Sequence, residues 1–434
     1  MISSTVDRGV PDLGGLMREL DAAAPYELLD VCAVWLQRCV TANDSALLLA
    51  DYAQVVLEAV PASLPSEVAV SARAHAQSSC GERHHIDDSP AGTAYRDQRI
   101  VELESTDDRR AGATSITTVF VPVSIRAERV GVLRVALERA SISPALLQTL
   151  QDVAQLVAHV ITGARRYTDR FEVLRRNQPL KLAAEIQWEL LPVLAYDLPA
   201  FSIAGALEPT YEIGGDSFDY AVSAHSLSIS ITDAVGHGLR AALLGSLTVA
   251  ALRNSRRDGQ DIHQQFAIAN RHLVEQFPEL AFVTGLALRL DTATGSGIAV
   301  NAGHPPPLLL RHGRVCELPL SPDYPLGLTA DAIYRPQPIS LHPGDRLLLI
   351  TDGITEAHRR GEPPFDLPRL NTQLANHTDL SAAEFVRQLT SSVLDHCNGE
   401  LIDDATVVCL DWRGDAHSHT EVRQDHDGFV NTHG

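Results

Sequence analysis

The stretch SLSISITDAVGHGLRAALLGSL, Ser226–Leu247, decides how the C-terminal half of the chain is read. Leu227, Ile229 and Ile231 alternate with Ser226, Ser228, Ser230 and Thr232, the period of a strand with one buried face. The alternation stops at Asp233. Gly236-His237-Gly238 makes a turn, and Leu239, Leu243, Leu247 and Ala251 then recur at helical spacing. A strand therefore ends in a carboxylate that passes through a glycine loop into a helix. A single junction of this kind is accounted for by an aspartate capping a tight turn. Whether Asp233 does more depends on what the rest of the chain sets beside it.

The same kind of junction recurs. YEIGGDSFDY places Asp216 and Asp219 beside Gly214 and Gly215 at the start of a strand. DRLLLITDG runs an apolar strand, Leu347–Ile350, into Asp352-Gly353, and DDATVVCLDW opens with Asp403-Asp404 before the apolar run Thr406–Leu410. Strands that end in Asp and a strand that begins with it bring their carboxylates to one edge if they run antiparallel. Carboxylates gathered at one edge repel, and a cation relieves the repulsion. Hard divalent ions, Mg²⁺ or Mn²⁺, take oxygen ligands. Two of them about 3.5–4 Å apart activate a shared water for in-line attack on phosphorus. Such chemistry needs no lysine, serine or cysteine nucleophile, which suits a chain whose one lysine is Lys181. No Walker lysine motif, HExxH or GxSxG competes with this reading.

Composition bounds the rest. The chain has 434 residues, 45% of them hydrophobic, enough for two or more domains. A net charge of -20, from 55 acidic against 35 basic residues, argues against a nucleic-acid or anionic-membrane surface. Cys32, Cys39, Cys80, Cys316, Cys397 and Cys409 are scattered without a CxxC pair, so reduced thiols and a cytoplasmic location are expected. The polar opening is not a signal peptide, and no apolar run reaches the roughly 18 residues that span a bilayer.

Along the chain, residues 1–25 read as a flexible lead and 26–142 as a mixed α/β domain. YELLDVCAVWLQRCV has helical spacing and SALLLADYAQ reads as a strand. Thr117–Leu137 reads as two strands around an Arg126–Arg129 turn, and CGERHHIDDSPAGTAYRDQRIV before them as mostly loop. Residues 143–191 form a helical linker. Ser143 caps it with Pro144 behind, and Leu150, Val153, Val157, Val160, Ala164, Tyr167, Phe171 and Leu174 keep a 3–4 spacing. That spacing fits a coiled-coil seam in a parallel homodimer, or a helix packed on its own domain. Pro179 interrupts it, and PLKLAAEIQWELLP makes a second helix, placed to act as a switch element between the domains. Residues 192–412 form a second α/β domain. The polar tail, 413–434, is expected to be disordered, and His417, His419, His426 and His433 in it are solvated or bind metal adventitiously.

At the aspartate junctions the sequence resembles the bacterial metal-dependent Ser/Thr protein phosphatases of the stress-response and sporulation type, relatives of the type 2C phosphatases in the PPM superfamily. AAEIQWELLP, YEIGGDSFDY, ITDAVGHGLRAALL, FVTGLALRLD, NAGHPPPLLL, PLGL, HPGDRLLLITDGITEA and DDATVV occur in that family's order between about Leu180 and Trp412. The resemblance implies an α+β protein whose C-terminal domain is an α-β-β-α sandwich with two Mn²⁺ or Mg²⁺ ions at one end. It implies that Asp233 bridges both ions, that the Ala234 carbonyl and Asp216 hold one with Asp219 nearby, and that Asp352 and Asp403 hold the other. Asp404 would support a ligand from behind. His237 would be a general acid or would support the turn, and His304 in NAGHPPP would stabilise a turn. Relatives act on STAS-type anti-sigma factor antagonists, so a phosphorylated protein of that type is the implied partner. The region 26–142 is similar to a GAF sensor domain on SPAGTAYRDQRIV and VFVPVSIRAERVGVLRVAL, which implies a small-molecule ligand. Cys80, His84 and His85 are either a metal site there or ordinary loop residues. Two other functions stand against a phosphatase: a catalytically silent signalling scaffold, and a cyclic-dinucleotide synthase suggested by GGDSF, in which Ser217 stands where that chemistry needs Glu.

Overall fold

Antiparallel pairing organises both halves of the chain. The computed structural model describes residues 11–61, 82–104, 115–176, 182–209, 214–277, 281–359 and 361–414. The chain divides into two units, Met1–Pro179 and Leu180–Gly434. Lys181, Pro179, Cys80 and the tail histidines lie outside the described residues.

In the first unit, β1 (Asp44–Ala50), β2 (Val56–Ala59), β3 (Arg83–His85), β4 (Val101–Glu104), β5 (Ile116–Ile125) and β6 (Glu128–Glu138) form one sheet in the order β3-β2-β1-β6-β5-β4. The β5–β6 hairpin turns at Arg126, whose φ is 57°. Successive residues of β1 point to opposite faces. Leu47 and Leu49 join a core shared with the helices Leu13–Ala22, Leu28–Val40 and Pro144–Ala164. Leu48 and Ala50 join a second core against the helix Pro90–Asp97.

Three sequence expectations are corrected here. Within the supposed flexible lead, Asp12 caps a helix by accepting from the Gly15 amide at 2.8 Å, and Leu16 and Leu20 bury one face of it. The stretch expected to be mostly loop contains β3 and a helix started by Ser89 with Pro90 at its first turn, and it runs into β4 at Val101. The 150–174 pattern belongs to the unit's own core. Leu150, Val153, Val157 and Phe171 are buried there with Ala154, Ala158 and Ile161. The helix ends at Ala164, and Tyr167 is 79% exposed. Any helix that buries one face shows this spacing, so the seam, and the dimer drawn from it, lose their basis.

The second unit holds two sheets. β9 (Ser217–Val222), β10 (Ser226–Ala234), β11 (Val283–Asp291), β12 (Ser296–Ala302) and β15 (Gln337–Ser340) pair in the order β15-β12-β11-β10-β9. β7 (Ala195–Leu198), β8 (Phe201–Glu208), β13 (Leu308–Arg311), β14 (Arg314–Glu317), β16 (Arg346–Ile350) and β17 (Ala405–Trp412) pair in the order β14-β13-β16-β17-β8-β7. Ile229, Ile231, Leu286 and Leu288 from the first sheet interdigitate with Ile203, Leu347, Leu349, Val408 and Leu410 from the second in one core. Each such side chain, fully buried, contributes about 1.5–3 kcal/mol. The helices Leu239–Arg257 and Ile262–Gln276 cover the outer face of the first sheet, and Ala382–Cys397 covers that of the second. This is the expected α-β-β-α sandwich of the α+β class. Among the described residues, no helix is long and apolar enough to cross a membrane.

Candidate metal centre

Strand polarity sets where the carboxylates fall. β10 ends at Asp233-Ala234, and β9 runs antiparallel to it with Thr232 opposite Ser217, so Asp216 sits at the same sheet end as Asp233. In the other sheet Ile350 pairs with Val407, so Asp352, just after β16, and Asp403-Asp404, just before β17, also share one end. The two ends meet across the sandwich. Thr351 and Thr406, from the second sheet, both donate to Asp216 Oδ2, at 2.6 and 2.7 Å.

Glycines permit the close approach. A Cβ on Gly353 would stand 1.9 Å from the Asp404 carbonyl oxygen, and one on Gly214 would stand 2.8 Å from Asp404 Oδ2. Any side chain at either position would push the Asp403-Asp404 strand end away.

Electrostatics mark the site. Burial, then Asp233 and Asp404, push the Asp216 carboxyl well above the usual carboxylate range, against the opposing pull of the two threonine hydroxyls. Asp233 is pushed up to about 7 by burial and then by Asp352, Asp403 and Asp404. Asp403 is raised by burial, with Asp352, Asp404 and Glu356 adding to it. The charges that repel Asp233 are the carboxylates Asp352, Asp403 and Asp404 of the opposite sheet, and the donors are oxygens throughout. That set fits hard divalent cations of the Mg²⁺ or Mn²⁺ type. Among the described residues no group of three carboxylate, imidazole or thiol side chains is drawn tightly enough to hold an ion by itself. The carboxylates face one another without forming a closed cage.

The remaining candidates separate. Asp404 is buried as a brace, Oδ1 accepting from the Gly214 amide at 2.9 Å and Oδ2 from Gln187 Nε2 at 2.7 Å. Asp219 is directed away from the centre. Its two oxygens accept from Arg253 at 2.8 Å and Arg256 at 2.9 Å, which ties β9 to the helix Leu239–Arg257 and corrects its expected place beside the metal. His237 is exposed on the loop after β10. His304 is buried, and burial pushes its imidazole down to about 4. It is therefore neutral near pH 7 and poorly suited to proton transfer there. Asn301 clamps its turn, donating to the His304 carbonyl at 2.9 Å and accepting from the His304 amide at 2.8 Å. In the first unit His84 and His85 are consecutive on β3 and point to opposite faces, so they do not converge on one ion.

Gln187 was not singled out by sequence reasoning. It lies on the helix Leu182–Leu190, where Ala183, Ala184 and Gln187 share the buried face. Its amide reaches both Asp404 and the Asp216 carbonyl, the latter at 3.1 Å. The signal was an amide at helical spacing from two alanines on an inward face.

Residues 223–413, which span Asp233, His304, Asp352 and Asp403, match the family of stage II sporulation protein E, SpoIIE. The match lies wholly within the C-terminal unit. Phosphoserine phosphatase RsbU of Bacillus subtilis is 26% identical to this chain over 233 residues, 53% of this chain and 69% of RsbU. Phosphoserine phosphatase RsbP of the same organism is 26% identical over 227 residues, 51% of this chain and 54% of RsbP. A structure of the PP2C phosphatase domain of B. subtilis SpoIIE with a fragment of its regulatory domain has a TM-score of 0.43 and 20% identity, covering 50% of this chain and 65% of that one. GGDSF leads into β9, with Asp216 gripped by Thr351 and Thr406 of the opposite sheet, so the likeness to a cyclic-dinucleotide synthase motif carries no function.

Proposed function

We propose that the chain is a metal-dependent protein phosphatase that hydrolyses phosphoserine or phosphothreonine on a partner protein. The observation that carries this reading is the convergence of Asp216 and Asp233 from one sheet with Asp352 and Asp403 from the other, with Asp233 pushed up to about 7 by burial and then by Asp352, Asp403 and Asp404. RsbU and RsbP, similar over about half of this chain, are named phosphoserine phosphatases. Asp233 would serve two Mn²⁺ or Mg²⁺ ions, with Asp216 and the Ala234 carbonyl on one, and Asp352 and Asp403 on the other.

Bound divalent ions supply Lewis acidity, lowering the pKa of a water and neutralising charge on the phosphoryl oxygens. The chain's own part is orientation. Thr351 and Thr406 fix the orientation of the Asp216 carboxylate, since both hydroxyls donate to Oδ2. Asp404 and Gln187 hold the Gly214 strand entry against β17. His237, exposed on the loop four residues after Asp233, would act as general acid toward a leaving serine or threonine oxygen. The natural substrate in this reading is a phosphorylated STAS-type anti-sigma factor antagonist. The N-terminal unit acts as a GAF-like sensor with a small-molecule ligand, and the helix Leu182–Leu190 is the switch element, because Gln187 touches the centre directly.

Hydrolysis of a generic aryl phosphate tests the enzyme, and a phosphoserine protein tests the substrate class. Activity should vanish in EDTA and return with Mn²⁺ better than with Zn²⁺. Undiminished hydrolysis in EDTA would refute the reading.

A further inference from the structure

His304 lies outside the donor set, yet its ring is bonded to a neighbour of each half. Its Nε2 stands 3.0 Å from the Ile350 carbonyl oxygen, and its Nδ1 stands 3.0 Å from Thr284 Oγ1. A carbonyl only accepts, so Nε2 carries the hydrogen. In the neutral ring Nδ1 is then the acceptor, and Thr284 donates to it. Thr284 is the residue directly opposite Asp233 in the β10–β11 ladder. Ile350 is the last residue of β16, followed by Thr351, whose hydroxyl grips Asp216, and then by Asp352. One rigid ring thus spans from the cross-strand partner of Asp233 to the strand end that presents Asp352.

We infer that His304 is a positioning residue that sets the spacing between the Asp216–Asp233 half and the Asp352–Asp403 half of the metal centre. The inference rests on the phosphatase reading above. The Thr351 and Thr406 hydroxyls reach from the second sheet to the first, and His304 reaches from the first to the second. The two ties run in opposite senses, so together they resist both separation and sliding of the sheets at this end. The Asn301 clamp fixes the backbone from which the ring projects. Burial keeps the ring neutral near pH 7, which preserves the donor on Nε2 and the lone pair on Nδ1.

Calorimetric titration of the full chain with Mn²⁺, beside its metal-free melting curve, tests this. His304→Ala should weaken Mn²⁺ binding by about tenfold to a hundredfold, the range for groups that orient ligands from behind. His304→Gln, whose amide can donate to the Ile350 carbonyl, should recover most of the loss. Thr284→Val should weaken binding less but in the same direction, with little change in metal-free melting, and it carries the test if His304→Ala does not fold. The pH profile of hydrolysis should keep its limbs in His304→Gln. Wild-type Mn²⁺ affinity in both His304→Ala and Thr284→Val would overturn the positioning role, as would a glutamine variant no better than alanine. A wild-type chain that takes up no Mn²⁺ would instead overturn the metal reading, and this inference with it.

Discussion

Asp51 and Asp216 are buried to the same degree, each 3% exposed, and each adjoins the end of a strand. Burial raises the carboxyl of both. What surrounds them has opposite sign. Asp51, after β1, accepts from the amides of Val55 at 2.8 Å and Val56 at 2.9 Å, and Arg175 favours its charged form. Asp216, before β9, meets Asp233 and Asp404, which disfavour its charge. The first is an aspartate that closes a turn. The second is held by hydroxyls from a different sheet in a place where only negative groups gather. The lesson is that a strand–Asp–turn junction acquires a chemical role from the charges other strands bring to it, not from its own local pattern.

The largest effect should separate the surroundings of these two residues. Asp233→Ala, which strips the centre that Asp216 faces, should lower metal-dependent hydrolysis by more than about a hundredfold, beyond the range for groups behind a ligand. Asp51→Ala leaves the Val55 and Val56 amides unpaired and should cost about 1–3 kcal/mol in a melting experiment, with Mn²⁺ binding unchanged. Comparable loss of Mn²⁺ in both variants would erase the distinction. Next, Asp352→Asn and Asp403→Asn should each raise the Mn²⁺ concentration for half-maximal activity by about tenfold to a hundredfold, with activity regained at high metal.

The third effect is on stability. Asp233 holds its proton up to about 7 in the folded chain against an ordinary 3.8. The folded state therefore binds more protons than the unfolded state in that interval, and metal-free stability falls as pH rises through it. Its contribution is full below about 4 and is lost above about 7. Melting of EDTA-treated protein along a pH series should show this fall, and Asp233→Asn should flatten it. The smallest effect is expected at Asp404→Asn, which keeps an acceptor for the Gly214 amide and should weaken Mn²⁺ binding by about tenfold at most.

Much of the second unit was legible in the chain. Leu227, Ile229 and Ile231 announced β10, Leu347–Ile350 announced β16, and the polarity of strands around Asp352 and Asp403 anticipated that these residues share an end. Where periodicity was the only clue, it misled. Val157 and Phe171 satisfy a coiled-coil spacing and a core spacing equally, and only the presence of the sheet beneath them decides. Gly14 and Gly15 disguised the Leu13–Ala22 helix, whose Asp12 cap and two buried leucines were the better guide. Asp219 looked equivalent to Asp216 because both stand in one motif. Its partners, Arg253 and Arg256, come from a helix more than thirty residues later, a contact that local pattern does not encode. Gln187 escaped for the same reason, and His304 was read only as a turn residue, since what each reaches across the sandwich is not written in its local pattern.

Mn²⁺ stoichiometry by calorimetry, for the full chain and for Asp233→Ala, tests the central claim most directly. Two ions per chain are expected in the wild type, with the loss of tight binding at both positions in the variant, because one carboxylate would serve both ions. A wild type that binds none, or a folded Asp233→Ala chain that binds two as tightly as the wild type, would contradict it.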